Sequence, residues 1–66
     1  MKIRVNGEER ALDGVVTLAQ LVVELELVGK RVAIEKNGEI VPRSRHGEEC
    51  LSDGDELEIV VAVGGG

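Results

Sequence analysis

Sixty-six residues with thirteen acidic and eight basic side chains, a net charge of −5 and no aromatic residue describe one small domain whose core must be aliphatic. That charge argues against nucleic acid, where positive charge supplies most of the affinity, and suits basic surfaces of partner proteins instead. No apolar run is long enough to cross a bilayer, Met1-Lys2-Ile3-Arg4 opens a strand rather than a signal peptide, and a lone cysteine forms no internal disulfide, so a cytoplasmic protein without membrane partners is expected.

The chain begins with Lys2-Ile3-Arg4-Val5, alternating polar and apolar, and Asn6-Gly7, a strong short hairpin signal. Residues 8–12 return as a second strand, ended by Asp13-Gly14. Val15-Val16-Thr17 leads into a helix, with Thr17 and Gln20 spaced as a capping box and Val16 and Leu21 as a hydrophobic staple. Leu18, Leu21, Val22 and Leu25 make one apolar helical face, and Gly29 marks the expected stop. Residues 32–36 read as a third strand, turned by Asn37-Gly38 into a short fourth one that Pro42 limits to a sheet edge. Residues 43–50 have no clean period and are expected to form an irregular connection with at most a helical turn. After the turn at 51–55, residues 56–63 form the last strand, with Leu57, Ile59, Val61 and Val63 on one face and Glu56, Glu58, Val60 and Ala62 on the other.

This order, ββαββ, predicts an α+β fold. A crossover through the helix lays the third strand parallel to a hairpin strand, and the last strand slots into the middle of the sheet beside the first. One helix on one face of a mixed sheet of four to five strands is the β-grasp, or ubiquitin-like, architecture. The other face is left open, with Val60 and Ala62 on it as candidate docking residues. Their alternative role, as ordinary strand-formers with incidental exposure, weighs about equally.

The domain is expected to span residues 1–63, followed by a glycine tail at 64–66. Glycine has the most backbone freedom to lose on ordering, so the tail should be mobile. Extended, it reaches up to ~10 Å past the fold and fits a channel too narrow for any side chain.

Three stretches carry a resemblance over the whole chain: residues 33–43 (AIEKNGEIVPR), 53–59 (DGDELEI) and 63–66 (VGGG). Together they resemble the sulfur carrier family of thiamin biosynthesis. The glycine terminus is shared with molybdopterin and transfer-RNA thiolation carriers and with ubiquitin-like modifiers, whereas Asn37 with Val41-Pro42-Arg43 points to the thiamin branch. The family usually ends in two glycines where this chain has three.

The resemblance implies that the Gly66 carboxylate is adenylated with ATP by a ubiquitin-activating-like adenylyltransferase. A persulfide donor then converts it to a thiocarboxylate, and the sulfur goes to thiazole synthase. Gly64 and Gly65 would enter the partner's active site, and Arg43 joins Val60 and Ala62 as a docking candidate. The chain would bind no cofactor and contribute no catalytic group, acting as a co-substrate rather than an enzyme. The alternatives are a carrier for molybdopterin or thiolated RNA, and a protein modifier or plain interaction module.

Other residues compete weakly for a role. Cys50 with His46 could be read as nucleophile and base, but Glu48, Glu49 and Asp53 nearby disfavour a thiolate, so Cys50 is expected to be a small, partly buried hydrophobe. His46, Glu48, Glu49 and Cys50 lack metal-ligand spacing and read as a solvated polar loop. Arg43 and Arg45 read first as dressing an exposed loop, with partner contact close behind because of the family's Pro-Arg pattern. Glu8, Glu9, Glu24 and Glu26 read as solvated surface.

Overall fold

The computed structural model describes residues 1–62. Five strands, β1 (Lys2–Val5), β2 (Glu8–Ala11), β3 (Val32–Lys36), β4 (Glu39–Val41) and β5 (Glu56–Val61), form one sheet in the order β2-β1-β5-β3-β4. The one α-helix among the described residues, α1 (Leu18–Glu24), lies on one face. β1 and β5 run parallel and the other neighbouring pairs antiparallel. The last strand therefore occupies the centre beside the first, as expected for a β-grasp fold. β3 runs in the same direction as β2 but lies three places from it, because β5 and β1 intervene.

Both hairpins turn on Asn-Gly. Asn6 and Asn37 each have φ 52°, and Gly7 and Gly38 have φ 83° and 86°, so both central residues of each turn are left-handed, as a type I′ hairpin requires. Asparagine tolerates this region better than other side chains.

At the start of α1, the Gln20 amide N–H donates to Thr17 Oγ1 at 3.2 Å, and Gln20 Oε1 accepts from the Thr17 amide at 3.0 Å. This is the expected capping box. The staple is not formed as read: Val16 is 53% exposed, and the residue that enters the core ahead of the helix is Val15. The helix also stops earlier than Gly29. Leu25 is its C-cap, and Glu26, at φ 58°, takes the left-handed position. The Glu26 amide donates to the Val23 carbonyl at 3.0 Å and the Leu27 amide to Val22 at 2.9 Å, the paired bonds of a Schellman motif. Gly29, at φ 85°, serves a second turn, because apolar Leu27 must come back to the core edge before β3 begins.

The core lies between α1 and the helix-facing side of the sheet. Leu18 and Leu21 of α1 meet Ile3, Val5, Ile34, Leu57 and Ile59 of the strands, while Leu12, Val15, Val41 and Leu51 close the ends. Val22 and Leu25 pack against its margin, completing the predicted helical face. With no Phe, Tyr or Trp to fill space, this core depends on interdigitated aliphatic side chains, where removing even one methylene group is felt.

Residues 43–50 complete the helix rather than merely connecting strands. A 3-10 turn at Arg43–Arg45 brings the His46 and Glu49 carbonyls to the Ala19 and Leu18 amides, both at 3.0 Å. These are first-turn donors with no partner inside the helix, which must be satisfied from elsewhere. The polar-loop reading of His46 is corrected: it is 7% exposed, and its Nε2–H donates to the Val41 carbonyl at 3.1 Å. The ring is buried with its Nε2–H donor satisfied. Cys50 is exposed, not partly buried, because it pairs edgewise with Thr17 while neighbouring Leu51 takes the inward place.

Candidate functional site

The candidate site is the end of β5, from which residues 64–66 continue. Three groups hold that strand in register. Asn37 accepts the Glu56 amide on Oδ1 at 2.9 Å, donates from Nδ2 to Asp55 Oδ1 at 3.0 Å, and donates its own amide to the Glu56 carbonyl at 2.8 Å. Further along, Asn6 Oδ1 accepts the Ile59 amide at 2.8 Å and its Nδ2 donates to the Ile59 carbonyl at 3.1 Å. The carboxamide thus acts as one more rung of ladder where β1 has already turned away. At the end, the Ala62 amide donates to the Arg31 carbonyl at 2.9 Å. The two asparagines that make the hairpins possible therefore also grip the central strand. Asn-Gly spacing signals only the turn, and this second role requires knowing that β5 lies between the two hairpins.

The turn before β5 is tied down as well. Asp55, which is buried, accepts the Ser52 amide on its second carboxylate oxygen at 2.8 Å, and Asp53 accepts the Lys2 amide at 2.6 Å. A strand gripped at both ends and at its middle gives the residues beyond it a fixed point of departure.

The docking candidates divide between two sides of that point. Val60, 64% exposed, and Ala62, also exposed, lie on the open face, with Ala33 of β3 directly opposite Val60. Val61 faces the helix side but lies past the helix's cover and is itself partly exposed. Arg43 is exposed on the helix side, where it borders a groove with Lys30 and His46, so it does not join Val60 and Ala62 on one surface. Gly64, Gly65 and Gly66, together with Val63, lie outside the described residues.

Further features of the open face follow from register. Ile40 of edge strand β4, 76% exposed, stands opposite Glu35, which in turn stands opposite Glu58. Arg4 lies between Glu9 and Glu56. An apolar patch of Ala33, Val60 and Ala62 thus adjoins an acidic band. Glu35 beside Glu58 is a like-charge pair of the kind that destabilises a sheet. Ala33 and Ile40 were missed as site residues; pairing Ile34 with Ile59, the buried positions of β3 and β5, would have placed Ala33 beside Val60.

No group of three or more metal-ligating side chains occurs among the described residues. Lys36 Nζ lies 2.7 Å from Glu49 and donates to the Cys50 carbonyl at 3.0 Å, and the Glu49 hydrogen bond raises its pKa above the usual lysine value. These contacts tie β3 to the helix-capping segment.

Comparison with known proteins agrees with this geometry. The ThiS family model matches residues 3–66. The chain belongs to the ThiS family. The sulfur carrier protein ThiS of Bacillus subtilis is 42% identical over 50 residues, 76% of each chain. The crystal structure of the thiamine biosynthesis protein ThiS from Geobacter metallireducens superposes with a TM-score of 0.84 at 30% identity, covering all of both chains. A thiazole synthase of Paramagnetospirillum magneticum is 46% identical over all 66 residues, but this ThiS-family chain spans only 20% of that relative's length.

Proposed function

We propose that this ThiS-family protein is a sulfur carrier of thiamin biosynthesis, with sulfur carried on the carboxyl group of Gly66. The observation that carries the reading is the family match running through the terminal glycines, which continue from a central strand held by Asn37, Asn6 and the Arg31 carbonyl.

A terminal carboxylate, with a pKa near ~3.5, is ionised at neutral pH and is a poor acyl electrophile. Adenylation solves this. The carboxylate oxygen attacks the α-phosphorus of ATP, pyrophosphate leaves, and the resulting acyl-adenylate has AMP as a leaving group. A persulfide sulfur then displaces AMP, and a thiol reduces the acyl disulfide, leaving a thiocarboxylate and an oxidised donor disulfide. Glycine fits each step because no β-carbon obstructs ATP or the incoming sulfur. Partner enzymes supply the acid, base and metal chemistry, so the chain acts as a co-substrate.

Thiazole synthase is the proposed acceptor. The relative bearing that name contains a homologous stretch within its own chain, and a covalent link raises the effective concentration of one module at the other. The adenylyltransferase and thiazole synthase would meet the open face, where Val60, Ala62 and Ala33 supply apolar contact. The unfavourable Glu35 and Glu58 pair is relieved against a basic surface.

The test is intact mass after incubation with ATP, the host adenylyltransferase and a persulfide source. The expected result is a gain equal to one oxygen-for-sulfur exchange, localised to Gly66 and absent when residues 65–66 are deleted. An unchanged mass, with the adenylyltransferase shown active on another carrier, refutes the reading.

A further inference from the structure

A second surface adjoins the end of β5 on the side opposite the open face. It is a groove of about 240 Å³ between α1 and the start of β3, with half-buried Val22, Leu27 and Val32 as apolar lining and the exposed Lys30 and Arg43 at its borders. Its position is set by pairing: Val32 stands opposite Val61 in the sheet, and Arg31 receives the Ala62 amide. A molecule seated there touches Val32 of β3, the sheet partner of Val61 on the strand from which the glycines continue.

Its charge is opposite to that of the protein as a whole. The net charge is −5. Yet Lys30 and Arg43, at its border, form no ion pair among the described residues. Two uncommitted cations bordering an apolar cleft in an acidic protein are complementary to carboxylates flanking an aliphatic side chain. Val28, 66% exposed at the cleft's edge, adds apolar surface that the domain itself does not cover.

We infer that this groove docks an acidic segment of a partner protein, one aliphatic side chain entering between Val22, Leu27 and Val32 while neighbouring carboxylates meet Lys30 and Arg43. The inference rests on the proposed carrier function, since it takes the partner to be an enzyme that receives the glycine tail. It assigns that partner a grip of two opposite signs, with basic surface toward Glu35 and Glu58 and acidic surface toward Lys30 and Arg43. Such a pattern fixes orientation, because a partner rotated about the tail brings like charges together.

The experiment titrates the full ¹⁵N-labelled chain with the host adenylyltransferase and, separately, with thiazole synthase, for wild type, K30E/R43E and the neutral K30Q/R43Q. At least one partner should perturb the amides of Val28, Lys30 and Val32. K30E/R43E should bind that partner roughly ten-fold or more weakly, with K30Q/R43Q between, and the differences should shrink at high salt. Both variants alter exposed side chains, and an unchanged free-state spectrum verifies their fold; the neutral variant carries the test if the reversed one does not fold. Wild-type affinity in both variants, together with normal thiocarboxylate formation, overturns the groove assignment and leaves the carrier reading intact. Binding to neither enzyme overturns both. Groove amides that shift on deleting residues 64–66 without any partner would instead assign the groove to the chain's own tail, again overturning the proposal.

Discussion

Replacing Asn37 by aspartate isolates the grip on the central strand. The substitution keeps an oxygen acceptor for the Glu56 amide but exchanges the donor facing Asp55 Oδ1, now at 3.0 Å, for a second carboxylate oxygen. Two unit charges at that separation repel by about 5.5 kcal/mol at an effective dielectric of 20 and about 1.4 kcal/mol in bulk water. Asp55 is buried while Asn37 is exposed, so the cost lies between, at roughly 2–4 kcal/mol. Protonating one carboxylate at pH 7 would itself cost about 4 kcal/mol, which caps the penalty. For a domain of this size, with total stability of roughly 3–10 kcal/mol, that is a large fraction.

N37G provides the reference. It suits the left-handed turn and removes both side-chain bonds without adding charge, at a cost of about 1–2 kcal/mol. At pH 7, N37D should therefore be less stable than N37G. As pH falls toward 4, the folded N37D protein binds a proton between the two carboxylates more tightly than its unfolded chain does. Its stability relative to N37G must then rise, and the protonated carboxyl can donate to Asp55 as the amide did. Urea denaturation at pH 7 and pH 4 measures this. Because the chain has no aromatic residue, the readout is far-ultraviolet circular dichroism rather than intrinsic fluorescence. Wild-type stability of N37D at pH 7, or a deficit relative to N37G that does not shrink on acidification, refutes the clamp.

Two further outcomes follow from individual contacts. Glu26 occupies the left-handed position of the Schellman motif at φ 58°, so E26G should stabilise the protein by about 0.5–1 kcal/mol, raising the thermal midpoint by several degrees; a lower midpoint would contradict the assignment. Lys36 has its pKa raised above 10.5 chiefly by the hydrogen bond to Glu49, so the pair's contribution, about 0.5–1 kcal/mol, is present at pH 8 and lost as pH rises through the folded-state value. The gap in urea midpoint between wild type and K36M should accordingly narrow between pH 8 and pH 11, and a gap that widens would count against the pair.

The site was only partly legible before the fold was known. Val60 and Ala62 were readable as open-face residues because strand alternation alone assigns them opposite Ile59. Arg43 was readable as exposed, but not as lying on the helix side with Lys30, because that depends on how residues 43–50 fold back over α1. His46 and Cys50 exchanged their expected environments for the same reason. A mixed-charge segment with no period says nothing about which residue will face the unpaired amides of a helix's first turn.

What the sequence determined by itself is what is decided within four or five residues. The Asn-Gly turns follow from the tolerance of those residues for positive φ, the capping box from the reach of Thr17 and Gln20, and the inward face of β5 from alternation up to Ile59. Their number and order already implied a sheet with one helical layer, and the quoted motifs with the terminal glycines implied the family. Tertiary structure decided the rest. Only the assembled sheet makes Asn6 and Asn37 clamps on β5, brings Ala33 beside Val60, and sets a basic groove on the helix side at Val32, the sheet partner of Val61. It also ends the helix at Glu26 instead of Gly29, because burying Leu27 at the core margin outweighs the roughly 1–2 kcal/mol that a side chain costs in the left-handed region. Long-range burial is a property of all the elements packed together, and no local stretch of the chain encodes it.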